Sequence, residues 1–151
     1  MVLSMYVVIP ILLVLAVAVY TDLRRRLIYD WLTLPGIAYF LLYHAFVHPQ
    51  AWVSYALGVV VLGGISLLMA VMSKGQVGGG DIKLFALVGA ALGWQAGLLI
   101  VGLTYLFAGI ALVPMWIASK LTERVTFGRE MPLAPFIAGG TSMLLAMVFL
   151  W

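Results

Sequence analysis

Apolar runs near twenty residues long, parted by short charged or turn-forming clusters, recur along the whole chain. A helix needs about twenty residues to cross the roughly 30 Å hydrocarbon core of a bilayer. Six runs meet or approach that length: 2–20, 31–47, 51–72, 82–96, 97–119 and 133–151. With 66% hydrophobic and 9% charged residues, no stretch is polar enough to form a separate soluble domain. The expected fold is an all-α integral membrane protein of six transmembrane helices, a single domain over residues 1–151. The fourth and fifth runs are continuous apart from Gly93, Trp94 and Gln95, where a turn is expected. The fourth is short: residues 82–93 rise only roughly 18 Å as a helix, so the preceding Asp81 sits below the membrane surface.

All eight basic residues fall in three alternate connections: Arg24, Arg25 and Arg26; Lys74 and Lys83; Lys120, Arg124 and Arg129. By the positive-inside rule these face the cytoplasm and both termini face outside. The five acids, Asp22, Asp30, Asp81, Glu123 and Glu130, share that side. Carboxylate chemistry is therefore confined to the cytoplasmic edge. A cleavable secretory signal is not expected, because the arginines follow the first apolar run and no charge precedes it. The bases form no stripe with stacking aromatics, which argues against nucleic acid as a partner. The absence of cysteine excludes disulfides and thiolate chemistry.

A carboxylate in hydrocarbon costs about 2.5–3.5 kcal/mol at mid-membrane, which makes Asp81 a functional candidate. Helix capping is its structural alternative, since an acid is favoured at a helix N-terminus. The preceding Gly78, Gly79 and Gly80 leave room for an extended partner backbone, and Gly78 and Gly80 permit positive φ. No Gly-Lys-Ser/Thr ending follows, so a phosphate-binding loop is excluded. A GxGD pattern arises by chance roughly 0.03 times in this composition, so it needs a partner.

Asp22 supplies one, at the cytoplasmic end of the first span. Two carboxyls held together can share a proton, one activating water while the other donates to a carbonyl, as in aspartic peptidases. The alternative for Asp22 is an ion pair with Arg25 or Arg26. Asp30, beside Trp31, reads as the N-cap of the second span. Lys83 reads as an interfacial, snorkelling lysine as readily as a site residue. His44 and His48 have metal-ligand spacing but lie on the predicted outer side with no acidic third ligand, and are expected at the interface. Trp31, Trp52, Trp94 and Trp116 read as interface anchors. Glycines 89, 93 and 97 form a small-residue ridge for helix packing.

Three stretches together, TDLRRRLIYDWLTLPG at 21–36, GGGDIK at 78–83 and MPLAPF at 131–136, resemble the peptidase domain of the type IV prepilin peptidases. That family comprises GxGD-type membrane aspartic endopeptidases that cleave prepilins and pseudopilins, and archaeal relatives process preflagellins. The resemblance implies Asp22 and Asp81 as the catalytic pair, with Gly78, Gly79, Gly80 and Lys83 at the substrate. It implies no metal and no cofactor, and a substrate with a basic leader and an apolar segment, cut at the cytoplasmic face of a prokaryotic inner membrane. Where the family shows Ile-Pro-Asn, this chain has Ile28, Tyr29 and Asp30. The cysteine-rich N-terminal region associated with methylation has no counterpart, so the chain reads as a naturally short member or an excised domain. Asp30, Glu123 and Glu130 are expected to hold the basic leader by charge. The rival readings are a proton-coupled transporter, in which carboxylates relay protons, and a non-catalytic pilus or secretion assembly subunit.

Overall fold

A computed structural model describes residues 4–72, 78–122 and 133–150. Lys74, Glu123, Arg124, Arg129, Glu130, Met131 and Pro132 lie outside the described residues. The elements are α1 (Met5–Arg25), α2 (Asp30–Val47), a single 3₁₀ turn (Pro49–Ala51), α3 (Trp52–Met72), α4 (Gly79–Thr122) and α5 (Ala134–Leu150). Met5–Arg25 and Pro49–Met72 are long and apolar enough to cross a membrane, and Gly79–Ala111 is a third apolar helical stretch of that length, taken across Gly93. The chain is a multi-pass helical membrane protein.

Local chemistry sets the boundaries. The Ser4 hydroxyl accepts from the Tyr6 amide at 3.3 Å and caps α1. The helix then runs to Arg25 rather than stopping at Tyr20, because Thr21, Asp22 and the arginines interrupt apolarity without breaking helix geometry. It ends where Arg26 turns left-handed (φ 52°) and its amide donates to the Asp22 carbonyl at 2.8 Å. Asp22 thus belongs to the last helical turn. Asp30 is the first residue of α2, with Tyr29 at the cap position, so Asp30 is not the cap itself.

Gly93 breaks α4. Its backbone (φ 82°, ψ 172°) is non-helical and lies in a region that essentially only glycine adopts. The rings of Phe85 and Tyr105 stack with centroids 6.2 Å apart. On an unbroken helix, twenty positions would separate them by roughly 30 Å. The chain therefore reverses at Gly93 into a helical hairpin of two arms, residues 79–92 and 94–122, which agrees with the turn expected at Gly93–Gln95. The six helical segments so produced correspond to the six apolar runs.

α3 runs antiparallel to the first arm. Gly58 and Gly89 meet backbone to backbone, Gly63 faces Ala86, and Gly93 lies beside Ser54 and Tyr55. Beyond the break, Gly97 receives the Leu62 side chain. The predicted ridge is real at 89 and 97, but Gly93 is its corner. Among apolar lipids, close approach through small residues rather than water exclusion drives such packing. The first arm is the centre of the bundle: Leu84, Phe85, Leu87, Val88 and Ala90 are wholly buried against the other helices. Large apolar side chains such as Leu13, Phe46, Val60 and Leu68 face outward, as a lipid-facing surface requires.

Candidate active site

Because the first arm of α4 runs through the middle of the bundle, its opening turn starts inside the protein, and Asp81 is only 5% exposed. Its amide donates to the Gly78 carbonyl at 3.1 Å, closing the first turn. Its carboxyl Oδ1 is buried with no hydrogen-bond partner. Asp22, 7% exposed in the last turn of α1, lies within electrostatic reach of Asp81. The fold thus gathers two buried carboxyls from separate helices at one end of the bundle.

Asp22 makes no direct ion pair with Arg25 or Arg26, although Arg26 lies within its electrostatic reach. Arg24 donates to the Tyr20 hydroxyl at 2.6 Å and Arg25 to the Tyr29 hydroxyl at 3.0 Å. Instead the Asp22 Oδ2 accepts from the buried Ala134 amide at 3.1 Å. Ala134 is the first residue of α5, so its N–H is one of the donors a helix start leaves without an internal partner. Ala134 lies within MPLAPF, where its own sequence gives it no evident role. A helix starting after a proline on the predicted acidic side was the available signal.

The glycines divide by function. A side chain at Gly79 would meet nothing within 4 Å, whereas one at Gly78 would approach the Asp81 Oδ2 at 3.3 Å. At Gly80 a Cβ would lie 2.7 Å from the Ile28 Cβ. Gly80 therefore admits Ile28 of the loop between α1 and α2, rather than open space. Neither Gly78 nor Gly80 takes a positive φ; among the described residues Gly93 is the glycine that does. Helix α4 already begins at Gly79, which fixes helical torsions at Gly80.

Lys83 does not snorkel freely. Its ammonium donates to the Asp30 carboxylate, tying the first turn of α4 to the first turn of α2. One oxygen of the exposed Asp30 carboxylate is thereby paired with a protein cation. Asp30 supplies the charge that Lys83 finds.

His44 lies at the opposite end. Its ring stacks on Tyr55 with centroids 3.4 Å apart, and Nε2 donates to the Ala91 carbonyl at 3.0 Å. It is buried among α2, α3 and α4 in the last turn of α2, with its aromatic face and single donor both satisfied inside. Trp52 and Trp94 are partly exposed at helix starts, and the Trp52 indole donates to the Leu41 carbonyl at 3.2 Å.

These features define a class: a multi-pass helical membrane protein with paired buried carboxyls at one end, one of them inside a GxGD turn. The family model for type IV leader peptidases matches residues 9–113, a stretch containing both Asp22 and Asp81, and the chain belongs to that family. It is also similar to the prepilin leader peptidase/N-methyltransferase of Bacillus subtilis (strain 168), with 32% identity over 92 residues. That alignment covers 61% of this chain but only 36% of the relative. No solved structure matches the chain.

Proposed function

We propose that this protein is an aspartic endopeptidase of the prokaryotic inner membrane, and that Asp22 and Asp81 hydrolyse the bond between a basic leader and an apolar segment. Its substrates would be type IV prepilins, pseudopilins or preflagellin-like precursors, cut at the cytoplasmic face. The observation that carries the reading is the convergence of Asp22 and Asp81, both buried, at the end of the bundle where the basic residues of the first loop lie.

In this mechanism the two carboxyls hold one proton between them. The ionised member takes a proton from water as the water oxygen attacks the scissile carbonyl carbon, and the protonated member gives its proton to the carbonyl oxygen. The resulting diol collapses, the C–N bond breaks, and the leaving nitrogen takes the proton gained from water. The charge needed never leaves the pair, so neither metal nor cofactor takes part. Gly78 and Gly79 let a substrate backbone approach the Asp81 carboxyl, and Lys83 acts by fixing the turn that carries it. Glu123 and Glu130 supply negative charge for the leader.

A proton relay needs carboxyls distributed across the membrane. Here Asp22, Asp30 and Asp81 all belong to helix ends on one side of the bundle, which favours hydrolysis. Co-expression with a prepilin followed by mass measurement tests the reading. Wild type should remove the leader, and Asp22→Asn and Asp81→Asn should each leave it intact while accumulating in the membrane. Leader removal by either variant overturns the proposal.

A further inference from the structure

Among the described residues, three buried side-chain atoms lack a hydrogen-bond partner: His44 Nδ1, Asp81 Oδ1 and the Tyr105 hydroxyl. Two of the three belong together. Tyr105 stands on the second arm of the α4 hairpin, its ring stacked on Phe85. Phe85 is one helical turn beyond Asp81 on the first arm, so the stack brings Tyr105 to the side of α4 that bears the carboxyl. Tyr105 and Asp81 also lie within electrostatic reach of each other.

Other buried hydroxyls in the bundle are satisfied locally. Ser66, Thr104 and Thr141 each donate to the carbonyl one turn back, at 2.7, 2.7 and 2.8 Å. A tyrosine hydroxyl stands too far from its own backbone for that arrangement. Buried polar groups are nearly always paired, so a donor and an acceptor that border one site without pairing with each other point to a third party. A peptide unit carries one N–H donor and one carbonyl acceptor, and complements both.

We propose that Tyr105 is a substrate-contacting residue of the active site, its hydroxyl donating to a backbone carbonyl oxygen of the peptide that lies across Asp81. This rests on the peptidase reading above. The hairpin supplies the geometry: Gly93 folds the second arm back so that a donor from it and a carboxyl from the first arm border one site. The hydroxyl holds the peptide in register with the two acids and stabilises charge gathering on oxygen as water adds.

The test uses the full chain in proteoliposomes with a prepilin that the wild type cuts, comparing Tyr105→Phe, Tyr105→Leu and Asp81→Asn. Loss of one well-placed donor to a reacting oxygen lowers turnover on the order of a hundredfold. Tyr105→Phe should show that fall in kcat with an unchanged or raised melting temperature, because the ring stack survives and only the hydroxyl goes. Tyr105→Leu should lose as much activity and also melt earlier. Wild-type kcat and KM in Tyr105→Phe, beside an inactive Asp81→Asn, would overturn the role of Tyr105 alone. A fall in kcat that came only with a fall in melting temperature would overturn it too. Cleavage by Asp81→Asn would remove the peptidase reading beneath it.

Discussion

The carboxylate of Asp22, in the last turn of α1, accepts a hydrogen bond from the amide of Ala134, the first residue of α5, at 3.1 Å. One side chain thus joins a helix end from the beginning of the chain to a helix start near its close.

That bond separates two substitutions at one position. Asp22→Asn keeps an oxygen able to accept from Ala134, so it should melt close to wild type while prepilin cleavage is lost. Asp22→Ala leaves a buried N–H without a partner, a cost of about 1–3 kcal/mol. Thermal unfolding in detergent should therefore rank Asp22→Ala below Asp22→Asn, with both inactive. Equal melting of the two would show that the Ala134 bond adds nothing to stability.

The Lys83–Asp30 pair is partly exposed, with side-chain exposures of 39% and 59%, so its value to stability is small, below about 1 kcal/mol. Its effect should appear instead in catalysis, through the placement of the turn holding Asp81. Lys83→Gln and Asp30→Asn should each lower cleavage several-fold, and the double variant should be no worse than either single one. Additive losses in that double-mutant cycle would mean that the two side chains act separately.

Neighbouring glycines should respond in opposite ways. Gly79→Ala enters open space in a helical turn and should raise stability by up to about 1 kcal/mol. Its cleavage rate should fall, because the added methyl narrows the approach to Asp81. Gly80→Ala must displace Ile28 and should lower both melting temperature and activity. Gly79→Ala with full activity would show that the substrate does not pass over that residue.

Two further glycines are structural. A methyl at Gly89 would collide with the Gly58 carbonyl, a backbone group that cannot rotate away, and should cost about 1–3 kcal/mol or more. Gly93→Ala forces a side chain into the turn of the hairpin, at about 1–3 kcal/mol. Both should reduce the yield of folded protein in detergent extracts, and neither should alter the pattern of products. A Gly93→Ala variant as stable as wild type would mean that the hairpin can turn elsewhere.

The helices were legible because each is a long apolar run bounded by charge or turn-forming residues, and the hairpin because Gly93 and Gln95 interrupt the longest of them. Asp22 and Asp81 stood out for a related reason: few acids occur, and a carboxyl beside hydrocarbon needs a purpose. What packed against them was less visible. Nothing local says that Ile28 will fill the space over Gly80 or that Lys83 will find Asp30, since both contacts depend on how α2 lies against α4. Ala134 and Tyr105 are equally silent in sequence, one acting through a backbone amide and the other coming within electrostatic reach of Asp81 only after the chain has reversed. The enclosure of His44 by its stack on Tyr55 is hidden for the same reason.

Asp22 has one oxygen fastened to the start of a helix, while Asp81 has one claimed by no protein group. Two chemically identical side chains are therefore unequal before any reaction begins. The first resembles a post and the second a hand left open, and a molecule entering between them meets a direction already built into the site.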